Sequence, residues 1–149
     1  DAVAHVHQRA RSFTWAPNPS APDDPLLQRE IGEIAAAAYA GEATVLAAAD
    51  ALAAAYAADV DGTDPHLELA HEASLQAANA KVIVDALAQK SASQIFDVGG
   101  ASVVRHGHLL DRHWRNIRTL ASHNPTSYKA QAIGAYHTRG TKLPGSGYF

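Results

Sequence analysis

Alanine decides what this chain can become. It supplies 33 of the 149 residues while aromatic residues make up 7%, so the core has to come from backbones that approach closely through small side chains. Alanine is also the strongest helix former, and the expected fold is therefore all-α. A hydrophobic content of 47% is enough for one domain-sized core, which excludes collagen, fibrous coiled coil and a disordered tail.

The order of apolar and helix-breaking residues turns that composition into an arrangement. Ala2 to Phe13 reads as helix, with Val3, Val6 and Ala10 on one face. Because Asp1 stands where no initiator methionine does and this stretch reads as the middle of a helix, a preceding segment is expected. Pro17, Pro19, Pro22 and Pro25 then impose a surface loop. Asp24 before Pro25 is a cap followed by a first-turn proline. Leu27, Ile31, Ile34, Ala38, Gly41, Val45, Ala48, Leu52 and Tyr56 follow at steps of three and four, which predicts one long amphipathic helix ending at Asp61-Gly62. Asp64-Pro65 repeats the start signal for a second, reaching about Asp97 with Leu69, Ala73, Ala80, Ile83 and Leu87 inward. Val98-Gly99-Gly100 interrupts it, Ala101 to His106 forms a short turn, and Asp111 caps a helix over Arg112–Ala121 with Trp114, Ile117 and Leu120 or Ala121 inward. Asn124-Pro125 opens a last helix to about Thr138, and Gly140 onward is irregular. Two long helices joined by a short turn run antiparallel, so the expectation is an antiparallel up-and-down four-helix bundle with an irregular C-terminal tail.

Several chemistries are excluded or disfavoured. The chain has no cysteine, hence no disulfide, thiolate metal site or cysteine nucleophile. No uninterrupted apolar run reaches about 20 residues and no signal-peptide pattern opens the chain, so no membrane partner is expected. Charge is divided unevenly: all 15 acidic residues lie between Asp1 and Asp111, whereas the last 38 residues carry six Lys/Arg and no carboxylate. That end is suited to anions, but its cations are too few and too mixed with apolar residues for nucleic acid. Arg112, Arg115 and Arg118 recur at i, i+3, i+6 on one helix; Asp111 can pair with Arg115, and the other two lack an acid nearby in sequence. Nine histidines invite a metal, yet His5/His7 and His106/His108 are spaced i, i+2, which turns them apart on a helix, and no metal is expected. No serine lies in a nucleophile elbow. Gly99-Gly100 with Ala101-Ser102 permits either close approach of backbone N–H groups to a phosphate or a plain helix cap. His123 precedes the Asn124-Pro125 start, where the amide end of the last helix favours an uncharged ring suited to hydrogen bonding a ligand or to capping.

The runs Phe96-Asp97-Val98-Gly99-Gly100-Ala101-Ser102, Leu110-Asp111-Arg112-His113-Trp114-Arg115-Asn116-Ile117-Arg118-Thr119 and His123-Asn124-Pro125 resemble the C-terminal helical domain of the acyl-CoA dehydrogenase superfamily. More narrowly they resemble its flavin-dependent monooxygenase branch, which includes dibenzothiophene and sulfone monooxygenases. The resemblance covers the whole chain, from Arg9-Ala10-Arg11-Ser12-Phe13 to the Pro144–Phe149 ending. It implies that residues 1–149 are one domain of a larger flavoenzyme whose N-terminal helical and middle β-domains are not in this sequence, and that such bundles assemble as a homotetramer in the cytoplasm. It further implies that Arg11 reaches the flavin phosphate, that Gly99, Gly100, Ala101 and Ser102 lie against the flavin of a neighbouring subunit, and that His123 is the catalytic histidine.

Departures from the family pattern narrow the chemistry. Many acyl-CoA dehydrogenases carry a catalytic glutamate on the loop matching His123-Asn124; no carboxylate occurs after Asp111, which favours oxygenation. The second histidine and the aspartate of the dibenzothiophene enzymes are replaced by Leu120 and Asn124. The implied reaction uses reduced flavin, FMN ahead of FAD, from a separate flavin reductase; its C4a-(hydro)peroxide transfers oxygen to a small apolar substrate. Two alternatives stand beside it: an acyl-CoA dehydrogenase whose base comes from elsewhere, and a non-enzymatic helical assembly module.

Overall fold

Asp24 starts the long helix in the manner its sequence dictates: its Oδ1 accepts a hydrogen bond from the Leu26 amide at 3.0 Å, supplying an acceptor where the first turn has none, while Pro25 contributes a preset φ. The computed structural model of the protein describes residues 1–61, 66–105 and 107–145. Among them the elements are all helical: α1 (Ala2–Gln8), a 3-10 turn (Ala21–Asp23), α2 (Pro25–Asp61), α3 (His66–Gly99), a second 3-10 turn (Gly100–Val104), α4 (Asp111–His123) and α5 (Thr126–Arg139). The fold is the all-α, antiparallel up-and-down arrangement that the sequence implies. The Gly62 and Asp64-Pro65 signals, His106 and the last four residues of the tail lie outside the described residues.

The chain divides into two compact units, Asp1–Tyr39 with Leu87–Thr119, and Ala40–Ala86 with Leu120–Phe149. In the first, Val6, Ala21, Leu27 and Val98 form one core cluster and Ile95, Val103 and Leu110 another. A polar clasp joins α2 to α3 here: Gln94 Nε2 donates to Glu30 at 3.1 Å and to Glu33 at 2.9 Å, and Lys90 Nζ bridges Glu33 at 3.0 Å. Partners thus fall in number along α3 as they rise along α2, which is antiparallel pairing. In the second unit Leu75, Ala78, Ala132 and Leu143 cluster between α3, α5 and the tail, and a Cβ at Gly41 of α2 would stand 3.9 Å from Val84 of α3.

Several expectations need correction. The first helix stops at Gln8 rather than Phe13, because Arg9 turns extended (φ −72°, ψ 130°). Its guanidinium then donates to the Val98 carbonyl at 2.6 Å and stacks 4.4 Å from the centre of the Phe13 ring. The proline-rich segment is not all surface: Ser12, Ala21 and Asp24 are buried, Ser12 N donates to Pro19 O at 2.8 Å, and the Ser12 hydroxyl donates to Asp24. On α2 the inward stripe follows the sequence through Leu27, Ile31 and Ile34 and then shifts onto Ala37, Ala40, Gly41, Thr44, Ala48, Ala51, Ala55 and Ala58, leaving Ala38, Val45, Leu52 and Tyr56 exposed. Ile83 and Trp114, expected inward, are exposed as well, and at the end of α4 the buried residue is Ala121, not Leu120. By length and composition α2 is also apolar enough to cross a membrane, although no single run signals it; alanine carries that hydropathy while offering little apolar area per residue.

Candidate functional site

The glycine loop is built by α1 and α3 together. Gly99 closes α3 and is buried; a Cβ there would overlap Val103 Cγ1 and stand 2.9 Å from His5 Nε2. Gly100 turns left-handed at φ +66°, a conformation glycine adopts without the Cβ penalty. Ser102 is half-buried and its hydroxyl donates back to the Gly99 carbonyl at 2.8 Å, whereas Ala101 is exposed. Above Gly99 the His5 ring meets His108 edge-on, centroids 5.1 Å apart. Burial, then the His108 and Arg9 charges, hold the His5 imidazole below its usual range. Packing inside the chain therefore accounts for the glycine at position 99, and the loop presents its open side at Ala101. Arg11 is exposed in the same unit, and its side chain has no partner among the described residues.

Partners for the arginine row come from within the fold. Arg112 reaches Asp1 at 2.7 Å and the carbonyls of His108 and Leu109 at 3.4 and 3.3 Å. Arg115 pairs with Asp111 as its i, i+4 spacing allows, and Arg118 donates to Gln89 Oε1 at 2.9 Å. Asp1 is 111 residues from Arg112 in sequence, so only the fold could reveal that pairing. Lys142 of the tail likewise bridges Glu68 at 2.6 Å.

His123 belongs to the second unit. It is the final residue of α4, so it stands at the carbonyl end of one helix as well as before the amide end of the next, and the single polarity expected from sequence is not what surrounds it. It lines a cavity of about 550 Å³ with Asn124, Tyr128, Gln131, Arg139 and Lys142 over a floor of Pro125, Ala132, Ala135 and Pro144. Sequence reading missed these partners, although Tyr128, Ala132, Ala135 and Arg139 recur at steps of four and three from the Asn124-Pro125 start. Every wall residue follows Asp111, so the cavity has donors and cations but no carboxylate. On α5 Lys129 is buried, and desolvation with the nearby Lys81 charge holds its ammonium below the usual lysine range.

Residues 1–128 match the family model described as acyl-CoA dehydrogenase, C-terminal domain. The chain belongs to this family. Among curated relatives it is 33% identical over 135 residues to a dibenzothiophene monooxygenase of Mycolicibacterium goodii, covering 91% of this chain and 32% of that protein. It is 29% identical over 139 residues to a probable FMNH2-dependent monooxygenase, SfnC, of Pseudomonas putida, covering 91% and 34%. Among solved structures it superposes on methanesulfinate monooxygenase MsuC of Pseudomonas fluorescens with a TM-score of 0.86 at 27% identity, covering 99% of this chain and 38% of that one. The complex of TdsC from Paenibacillus sp. A11-2 with FMN and indole gives 0.82 at 25% identity, covering 99% and 37%. This acyl-CoA dehydrogenase C-terminal domain thus spans about a third of the length of the curated relatives it matches.

Proposed function

We propose that this chain is the C-terminal, oligomerising and flavin-contacting domain of a reduced-flavin-dependent monooxygenase. N-terminal helical and middle β-domains complete its subunit, and the working form is a cytoplasmic homotetramer. FMN is the flavin, in keeping with the FMN-bound relative, and a separate reductase supplies it reduced. The observation that carries the oxygenase reading is the carboxylate-free wall of the His123 cavity: with no base to take an α-proton there, dehydrogenation of a thioester has no agent on this domain.

The residues present fit a flavin at one loop and one cation. Arg11 offers an exposed guanidinium for a phosphate, and Gly100-Ala101 offers backbone on the open side of the glycine turn, with Gly99 and the Ser102 hydroxyl holding that turn from beneath. When bound, reduced flavin supplies the electrons that activate dioxygen for transfer of one oxygen atom to a sulfur, nitrogen or carbon centre. His123 contributes an imidazole N–H that holds or releases one proton, a role worth about 10²- to 10⁴-fold in rate. The apolar floor of its cavity keeps water from a small apolar substrate. In the protein carrying this chain with its flavin-binding domains, His123→Ala lowers oxygenated product by about that factor and leaves the assembly's mass unchanged; turnover equal to that of the parent would remove His123 from the mechanism.

A further inference from the structure

The turn from α4 to α5 carries His123, an exposed side chain whose place is set by how those two helices are seated. Pro125 stands at the N-cap of α5 and makes no side-chain cap. Farther along, α5 meets α3 through small residues: Ala132 clusters with Leu75 and Ala78, and an interface built on alanine fixes the register of a helix only loosely. The directional contact is polar. Asp85 of α3 accepts the Thr126 hydroxyl on the same carboxylate oxygen, Oδ2, that takes the Lys81 ammonium at 2.8 Å. Both members of that ion pair are largely shielded from solvent, with 22% and 16% of their side chains exposed, so the bonds are stronger than those of a surface pair. Thr126 is the first residue of α5. Lys129, three residues on and on the same helix face, is buried with the Lys81 charge nearby. All four residues belong to the second unit.

We propose that Asp85 and Thr126 are positioning residues for His123: their hydrogen bond pins the first turn of α5 to α3 and so fixes His123, Asn124 and Pro125 on the wall of the cavity. A threonine hydroxyl at a helix start ordinarily turns back to its own backbone; here it is given to the neighbouring helix, which makes the joint a register pin, the best-attested use of a shielded charge. Tyr128 and Gln131, the next residues of the wall, ride on the same helix. Among the described residues Asp85 is not part of that wall, so it acts through the backbone and the cavity keeps its carboxylate-free lining. Without the pin the alanine contacts let the turn shift, and a displacement of about 1 Å at a reacting group can cost about 10²-fold in rate. The proposal rests on the reading of His123 above and adds two residues which that reading does not contain.

Asp85→Ala strips Lys81 of its carboxylate and tests folding as much as position, so the decisive variant is Thr126→Val, which keeps the side-chain shape and removes the hydroxyl. In the protein carrying this chain with its flavin-binding domains, Thr126→Val lowers kcat by about 10-fold with KM within about 2-fold, and Thr126→Ser, which restores the donor, returns it to the parental value. Added to His123→Ala, Thr126→Val costs nothing further, because the residue it positions is already gone. Hydrogen–deuterium exchange gives a readout apart from turnover: in Thr126→Val the amides of residues 124–131 exchange faster while those of α1 do not change. A parental kcat in Thr126→Val, no rescue by Thr126→Ser, a loss that multiplies with that of His123→Ala, or exchange raised equally in α1 would each overturn the proposal. Parental turnover in His123→Ala, with faster exchange still confined to residues 124–131 in Thr126→Val, would instead remove the reading of His123 and keep the pin.

Discussion

The two units bury alanine and large residues in opposite ways. In the unit of Asp1–Tyr39 and Leu87–Thr119, leucine, isoleucine and valine point inward from several elements, and the Glu30–Gln94–Glu33–Lys90 clasp satisfies its own polar groups. In the unit of Ala40–Ala86 and Leu120–Phe149, alanines on α2, α3 and α5 form most of the interior, and Tyr56, Leu46 and Tyr128 are held outside. The first has an interior of large side chains, although Trp15, Leu26 and Tyr39 stay exposed on it. The second has an interior of small side chains and so depends less on any one of them.

That contrast is sharpest under truncation. Leu27→Ala, in the first unit where the side chain is almost wholly buried, should cost about 2–5 kcal/mol. Leu46→Ala, where more than half of the residue is exposed, should cost under about 0.5 kcal/mol; urea melts yielding equal losses would erase the distinction. Glycine repeats the comparison at smaller scale. Gly99→Ala forces a methyl into Val103 and His5 and should destabilise by about 1–3 kcal/mol. Gly41→Ala meets only ordinary contact with Val84 and should instead stabilise by about 0.5–1 kcal/mol through helix propensity, a difference thermal melts resolve.

The smallest expected effect depends on pH and belongs to the first unit. The His5 pKa is lowered in the folded chain, chiefly by burial, so the unfolded chain takes up its proton first. Stability is therefore full above about 6.5 and falls as pH drops through that value toward the lower folded one. Asp24 and Glu30 are lowered too, the first mainly by the Ser12 hydroxyl and the second mainly by Arg29; their contribution is lost only at more acid pH, as it falls below about 4. Removing His5 as His5→Asn should flatten the slope of urea midpoint against pH between 5 and 7. A slope unchanged in the variant would assign it to other groups.

How much of this was legible in sequence followed from how much side-chain shape the sequence offers. Asp24-Pro25 and Gly99-Gly100 marked helix ends correctly because their backbone demands are local. Leu27, Ile31 and Ile34 fixed the phase of α2 because large residues have one side to go to. Past Ile34 the alanines fit either side of a helix, so the phase drifted and Val45, Leu52 and Tyr56 were placed inward when they face out. Arg115 paired as its spacing said, but Arg112 found Asp1 across 111 residues, and Arg9 left the helix to reach Val98; neither long-range partner has a local signature. At the candidate site the glycine turn was visible, its His5 lid was not, and the wall around His123 was written in a four-three spacing that only a known helix start brings out.

The oxygenase reading is tested most directly by isotope transfer. The protein carrying this chain with its flavin-binding domains is supplied with reduced FMN, ¹⁸O₂ and a panel that includes dibenzothiophene and methanesulfinate, and the products are weighed by mass spectrometry. One ¹⁸O atom per product molecule, much reduced in His123→Ala, is the predicted result. Flavin reduced by an acyl thioester, with no ¹⁸O in any product, would contradict it.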